Sequence, residues 1–289
     1  MSEIPAKYLK AIHRYQPVEV DGVLLYPVTV DEYEQFNLAR PAIEFVHQSL
    51  PVAYVSMPLL QAYYAIDIES IASEGETQLP TGLFSRAMLF LALALRIGVG
   101  ETPENRIRAF KIRVSPNDGR RLMALTFTPD GEEYYDITPV KFQRWLPILA
   151  AQNGITLHND TDNPELLVTE AILSQKNAPD LDLDLESLVS GVAALSGADE
   201  SSMYDWPILK LQNRQRALKR AMDYMICGIG ESQGTSWKHG NPVPHPFFAR
   251  SETRSAAMVP IEEFAGGGAQ DAIAAAGANQ EQTQTTPQP

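Results

Sequence analysis

The chain has 289 residues, 44% of them hydrophobic and 20% charged, an ordinary globular composition that excludes collagen-like or wholly disordered classes and predicts one or two domains. One cysteine, Cys227, excludes an internal disulfide framework and any cysteine-built zinc knuckle, and points to a reducing cytoplasm. Thirty-six acids against 23 bases give a formal charge of −13, which repels phosphate backbones and disfavours nucleic acid as a partner.

Met1 to Lys10 carry charge and lack the apolar stretch of a signal peptide, so no export is expected. Pro17-Val18-Glu19-Val20, Asp21-Gly22 and Val23 to Val28 predict a two-residue β-hairpin, because glycine supplies the positive φ of a type I′ turn. Thr29 or Asp31 then offers an N-cap for a helix carrying Tyr33, Phe36 and Leu38, stopped or kinked at Pro41. A helical stretch from Ile43 to Gln48 ends before Pro51. Met57-Pro58 opens a further helix with Leu59, Leu60, Tyr63, Tyr64 and Ile66.

The longest apolar run is Ala87 to Leu95, between Arg86 and Arg96; it is far shorter than the roughly 20 residues that cross a bilayer. Thr81 to Ile97 is apolar nearly all round, which predicts a central buried helix with arginines snorkelling at its ends. From Asn105 to Ile137 the texture changes. Arg108 to Val114, Leu122 to Thr128 and Tyr134 to Ile137 are separated by Pro116-Asn117-Asp118-Gly119 and Pro129-Asp130-Gly131, and predict a three-stranded meander. Thr138-Pro139 then caps a helix through Phe142, Trp145, Leu146 and Leu149 that ends near Asn153-Gly154.

Helices follow over Pro164 to Gln175, Leu183 to Leu195, and Trp206 to about Gly228, the last with Pro207 in its first turn. In that longest helix Leu211, Leu218, Met222 and Met225 share one face, while Arg214, Arg216, Lys219 and Arg220 decorate the others; it is amphipathic and basic. Beyond Phe248, Gly266-Gly267-Gly268 leads into an alanine-, glutamine-, threonine- and proline-rich end with almost no large apolar residue, expected to be disordered. Strands and helices are segregated rather than alternating. The expected class is therefore mostly helical α+β with a small antiparallel hairpin and meander. Three regions are expected: an α+β domain over 1–160, a helical region over 161–248 and a low-complexity tail over 249–289.

The chain lacks a Gly-x-x-x-x-Gly-Lys phosphate loop, a Gly-x-Ser-x-Gly elbow and a His-Glu-x-x-His helix. Gly228-Ile229-Gly230 to Gly234 misses the dinucleotide spacing by one residue and follows a helix instead of a strand; it reads as a flexible helix exit. His239 and His245 are too few for a closed zinc shell. They lie in a proline- and aromatic-rich segment, Trp237 to Phe248, that suits packing on a partner or on the body. The alternating acids Asp180 to Glu186 read as the first turn of a helix, and His158, Asp160 and Asp162 as loop residues. Arg106, Arg108, Lys111, Arg113, Arg120 and Arg121 cluster on the meander with one aromatic, Phe110, which reads as a solvated sheet face or a contact for an acidic protein. Cys227 reads as a small buried hydrophobe. No catalytic, cofactor-binding or metal residue is assigned.

Two stretches carry a resemblance. Tyr26 to Phe36, the Leu50-Pro51 turn and the tyrosine-rich helix to Asp67 resemble structural-module proteins of tailed bacteriophages and prophages. Trp206 to Phe248, with the long helix, Cys227, Gly234, Trp237-Lys238-x-Gly240-x-Pro242 and the terminal aromatics, is similar to phage tail assembly chaperones, especially those of Gram-positive phages. What this implies is a mostly helical, non-enzymatic protein of the host bacterial cytoplasm that binds the tape measure protein during tail morphogenesis and is absent from the finished particle. Tail tube subunits are a further implied client. Neither a membrane nor a cofactor is expected. The chain is long for such a chaperone, and the meander has no counterpart in that family. The alternative in the same context is a structural component of the virion, at the neck, tail or baseplate; an enzyme is a third class. Aromatics dominate interface energies and basic faces steer acidic partners. The expected partner-binding residues are accordingly Trp206, Arg214, Arg216, Arg220, Trp237, Phe247 and Phe248.

Overall fold

The structure is a computed structural model that describes residues 4–44, 50, 52–72, 82–128, 134–157, 184–234 and 243. The chain is mostly helical α+β with two small antiparallel sheets. It divides into two compact units, Met1–Leu218 and Lys219–Pro289, and the division falls inside the longest helix.

In the first unit, apolar density decides what lies at the centre. Helix α6, Leu83–Ala94, has ten of its twelve residues buried, and Ala87 to Ala94 are all at most 4% exposed. A segment this apolar finds no face to leave in water, so it is surrounded. Its neighbours are α2 (Tyr33–Ala39), α3 (Pro41–Glu44), α5 (Leu59–Ala72) and α7 (Pro103–Arg108). Arg86 and Arg96 lie exposed beyond the run, as snorkelling requires.

Preceding α2 are helix α1 (Ala6–His13) and the hairpin of β1 (Val18–Val20) and β2 (Val23–Leu25). Asp21 and Gly22 at its tip have φ of 53° and 81°, the paired left-handed conformations of a type I′ turn. Asp21 does more than turn the chain. Its carboxylate accepts from Trp145 Nε1 at 3.0 Å and from the Arg144 guanidinium at 3.1 Å, and its carbonyl accepts from the Tyr135 hydroxyl at 3.0 Å. A short α4, Val52–Val55, precedes α5. The meander is β3 (Lys111–Val114), β4 (Leu122–Phe127) and β5 (Tyr135–Ile137), paired in that order with a bulge at Arg113/Val114. Helix α8, Pro139–Gln152, starts as expected, Thr138 Oγ1 accepting from Lys141 N–H with Pro139 in the first turn. Phe142, Trp145 and Leu149 are wholly buried on one side of it. Then come α9 (Leu185–Ser196), α10 (Glu200–Met203) and α11 (Ile208–Ser232).

Tyr33, Phe36 and Leu38 lie on α2 as expected, Phe36 buried and Leu38 56% exposed. Several sequence expectations are corrected. Residues expected at the edge of the meander, Asn105 to Arg108, are helical because Thr102 caps α7 with Pro103 in its first turn. Arg106 consequently turns inward to 1% exposure and leaves the basic cluster, while β3 itself stays solvated. Pro207 lies just outside α11, its carbonyl accepting from Lys210 and Leu211 N–H. Gly228 and Gly230 sit within α11 rather than at a helix exit, and Cys227 is half-buried rather than core. The expected helix Pro164 to Gln175, the residues His158, Asp160, Asp162, His239 and His245, and the tail beyond 248 lie outside the described residues. Residues 185–211 contribute Val189, Val192, Ala193, Met203, Ile208 and Leu211 to the same core as Ile12 to Ile155.

One contact in the fold was not readable locally. The N-cap of α6 is Gly82, which has no side chain to cap with, and Asp67 on α5 takes that role by accepting from Gly82 N–H at 2.9 Å. Burial raises the Asp67 carboxyl above the ordinary carboxylate range, with the Gly82 and Phe84 N–H groups pulling it part of the way back. A raised carboxyl means that the ionised form costs stability at neutral pH, and that this cost disappears as pH falls through the raised value. Asp67→Asn keeps an acceptor for Gly82 and should therefore melt higher than the parent at pH 7. The gap should close as the pH approaches about 4, the ordinary carboxylate value. Melting curves across that range check it; a deficit at pH 7 that closes toward about pH 4 would instead show that the charge at the helix terminus outweighs its desolvation.

Candidate functional site

The first turn of α11 is set by an extended clamp. Val30 N–H donates to the Trp206 carbonyl at 2.8 Å, Asp31 N–H to the Tyr204 carbonyl at 3.0 Å, and Ile208 N–H to the Val28 carbonyl at 3.0 Å, around a β-bridge of Thr29 with Pro207. Val28 is itself held at the other end, its N–H donating to Asn153 Oδ1 at 2.8 Å in the buried core. Ile208 and Leu211 face inward and are buried. The opposite side of the same helix therefore turns outward, and Lys210, Asn213, Arg214 and Ala217 fall on it at the i, i+3, i+4, i+7 spacing of one helical face.

Across from that face stands Tyr15, placed by the way α1 ends. Gln16 N–H donates to the Ala11 carbonyl and Tyr15 N–H to the Ile12 carbonyl, both at 2.9 Å, the two bonds of a Schellman termination. Such an ending puts a left-handed residue at the position of Tyr15, whose φ is 58°. At the end of α8 the same bond pattern, Ile155 N–H to Ala150 and Gly154 N–H to Ala151, uses Gly154 with φ 67°. Glycine takes that conformation without a Cβ penalty, whereas tyrosine incurs about 1 kcal/mol. The helix α6 ends likewise on Arg96, φ 54°.

Tyr15, Trp206, Lys210, Asn213, Arg214 and Ala217 line a cleft of about 380 Å³. Lys210 Nζ sits 3.7 Å from the centroid of the Trp206 ring, and Asn213 Nδ2 donates to the Tyr15 hydroxyl at 3.1 Å. Burial, and then the charge of Arg214, holds the Lys210 amine below its usual range. Neither cation meets a carboxylate among the described residues. A second cleft, of about 550 Å³, opens between the hairpin, the exit of α6 and β4–β5, with Arg96 stacked over Tyr26 at 4.7 Å.

In the second unit, residues 219–232 of α11 carry Met222, Met225, Ile226 and Ile229, 41–62% exposed. Their i, i+3, i+4, i+7 spacing makes one apolar face. The stripe expected from Leu211 to Met225 thus divides: Leu211 is buried, Leu218 half-buried, and Met222 and Met225 lie open.

Of the residues expected to bind a partner, Trp206 and Arg214 share the 380 Å³ cleft. Arg216, two residues on, is exposed on another side of the helix, Arg220 is half-buried in the second unit, and Trp237, Phe247 and Phe248 lie outside the described residues. Sequence reasoning missed Tyr15, Lys210 and Asn213. Trp206, Lys210 and Arg214 at successive fourth positions were a visible signal for one face; nothing local places Tyr15 there.

Among the described residues no group of three histidine, cysteine, aspartate or glutamate side chains could hold a metal ion, and no helix is long and apolar enough to cross a membrane. Comparison with protein-family models, with curated proteins and with solved structures finds no match.

Proposed function

We propose that this chain is a non-enzymatic tail assembly chaperone that holds the tape measure protein of a tailed phage in the host cytoplasm, with tail tube subunits as a further client. The observation that supports it is the open apolar face Met222, Met225, Ile226 and Ile229 on the long helix. A helix that leaves four large apolar side chains in water at i, i+3, i+4, i+7 has the pattern by which amphipathic helices lie against another apolar helix. Methionines suit a client whose surface varies along its length, because their unbranched side chains re-pack. Tape measure proteins are long helical chains whose apolar stripes would otherwise associate with one another. Trp237, Phe247 and Phe248 are the proposed aromatic anchors for the same client, each on the order of 2 kcal/mol when fully desolvated.

The test is co-expression of the full chain with the tape measure protein encoded in the same phage or prophage genome. The soluble fraction of the tape measure protein should rise with the wild-type chain. It should fall to the level without chaperone when Met222, Met225, Ile226 and Ile229 are all replaced by glutamine. These side chains are open, so the melting temperature should hold. Unchanged client solubility with the quadruple variant would remove the face from the proposal. Recovery of the chain in purified particles at a fixed copy number would replace the chaperone reading with that of a virion component.

A further inference from the structure

We infer that the cleft between Tyr15 and the outer face of α11 is a carboxylate-binding site that takes an acidic segment of a partner polypeptide. This rests on the first unit alone and does not depend on the tape measure reading.

The donors point to the ligand. Lys210 offers an ammonium, Arg214 a guanidinium, and Tyr15 a hydroxyl that accepts from Asn213 Nδ2 and so keeps its own proton to give. The only acceptor this set leaves over is Asn213 Oδ1. Trp206 and Ala217 supply an apolar wall along which the methylenes of a glutamate or a neighbouring side chain can lie.

The charges are also unresolved as they stand. Lys210 and Arg214 are one helical turn apart, where like charges oppose helix formation, in a chain with 13 more acids than bases. Neither cation has used that surplus: no carboxylate pairs with them among the described residues. Lys210 is also held against the Trp206 ring instead of extending into water. An incoming carboxylate removes the repulsion and finds both donors already placed. Tyr15 adds a third indication, since its backbone is kept in a left-handed conformation that Gly154 adopts without strain at the end of α8; strained residues of this kind concentrate at binding sites.

Charge number decides between acidic polypeptide and nucleic acid. Two cations in a cleft of about 380 Å³ match one or two carboxylates. A phosphodiester chain is charged at every nucleotide, whereas a polypeptide can present one or two carboxylates among neutral residues to a body of net −13.

The experiment uses the full chain and a fluorescein-labelled, acetylated hexaglutamate peptide read by fluorescence anisotropy at low salt. Binding is expected, and Lys210→Gln and Arg214→Gln should each weaken it by about five-fold or more. Tyr15→Phe, which retains the ring, should weaken it less. Arg216→Gln, on the same helix but outside the cleft, should change it less than about two-fold. Removing Arg214 should also raise the Lys210 amine pKa followed by NMR, as a coupled pair requires, and an unchanged melting temperature should confirm that the variant is folded. Three results would overturn the proposal: no hexaglutamate binding, equal loss with Arg216→Gln, or a labelled hexathymidylate bound as tightly through the same residues.

Discussion

Replacing Glu32 with alanine should destabilise the first unit by about 3–5 kcal/mol. Arg106 is only 1% exposed, and its guanidinium donates to Glu32 Oε1 at 2.6 Å; the Glu32 side chain is 12% exposed. Two more guanidinium nitrogens of Arg106, Nε and one terminal group, are buried without a partner. Among the described residues Glu32 is thus the one carboxylate paired with a charge already under-satisfied by hydrogen bonds, and its removal leaves that charge without it in the interior. For a unit of this size the loss corresponds to a fall in melting temperature of roughly 6–20 °C. The double variant Glu32→Leu with Arg106→Met should recover most of it, because replacing both members of a buried pair by apolar groups is often neutral. A melting temperature for Glu32→Ala within about 2 °C of the parent would mean that water reaches Arg106.

Trp145→Ala should cost a similar amount, about 3–5 kcal/mol. Trp145 is wholly buried, lies stacked at 6.2 Å on Tyr135, and donates from Nε1 to the Asp21 carboxylate at 3.0 Å. Truncation opens a cavity between α8 and the meander and deprives the hairpin tip of one of its three hydrogen-bond donors. Trp145→Phe restores most of the volume but not the donor, and should lie between the two. Denaturant titration of Trp145→Phe, Asp21→Gly, which removes the carboxylate at a positive φ that glycine tolerates, and their combination separates the hydrogen bond from the packing. A non-additive result is expected because the residues are in contact; strict additivity would sink the view that Asp21 anchors the hairpin through Trp145.

What was legible in the sequence was whatever a few neighbouring residues decide. Asp21-Gly22 announced its turn because two adjacent residues must take positive φ there. Thr138-Pro139 announced α8 because cap and first turn are contiguous, and Ala87 to Leu95 announced its burial because no polar face interrupts it. The parts that escaped are made by residues far apart in the chain. Asp67 caps α6 across a 15-residue separation, Arg106 meets Glu32 across 74, and Tyr15 meets Asn213 across 198. The candidate site divides in the same way. The α11 side of the cleft follows from the spacing of Trp206, Lys210 and Arg214, whereas its far wall depends on how α1 happens to terminate.

The extended clamp between residues 28–31 and 204–208 sets an order on synthesis. Val28 and Val30 emerge from the ribosome some 180 residues before their partners Ile208 and Trp206, which at about 5–20 residues per second is a wait of roughly 10–35 seconds. During that time the Val30 N–H and the Val28 carbonyl, flanked by valines destined for complete burial, form a nascent strand edge with nothing to pair with. Open apolar edges invite pairing with other chains. A polysome carrying several copies of this protein holds several such edges close together, so the yield of native molecules should depend on how quickly the ribosome reaches Trp206.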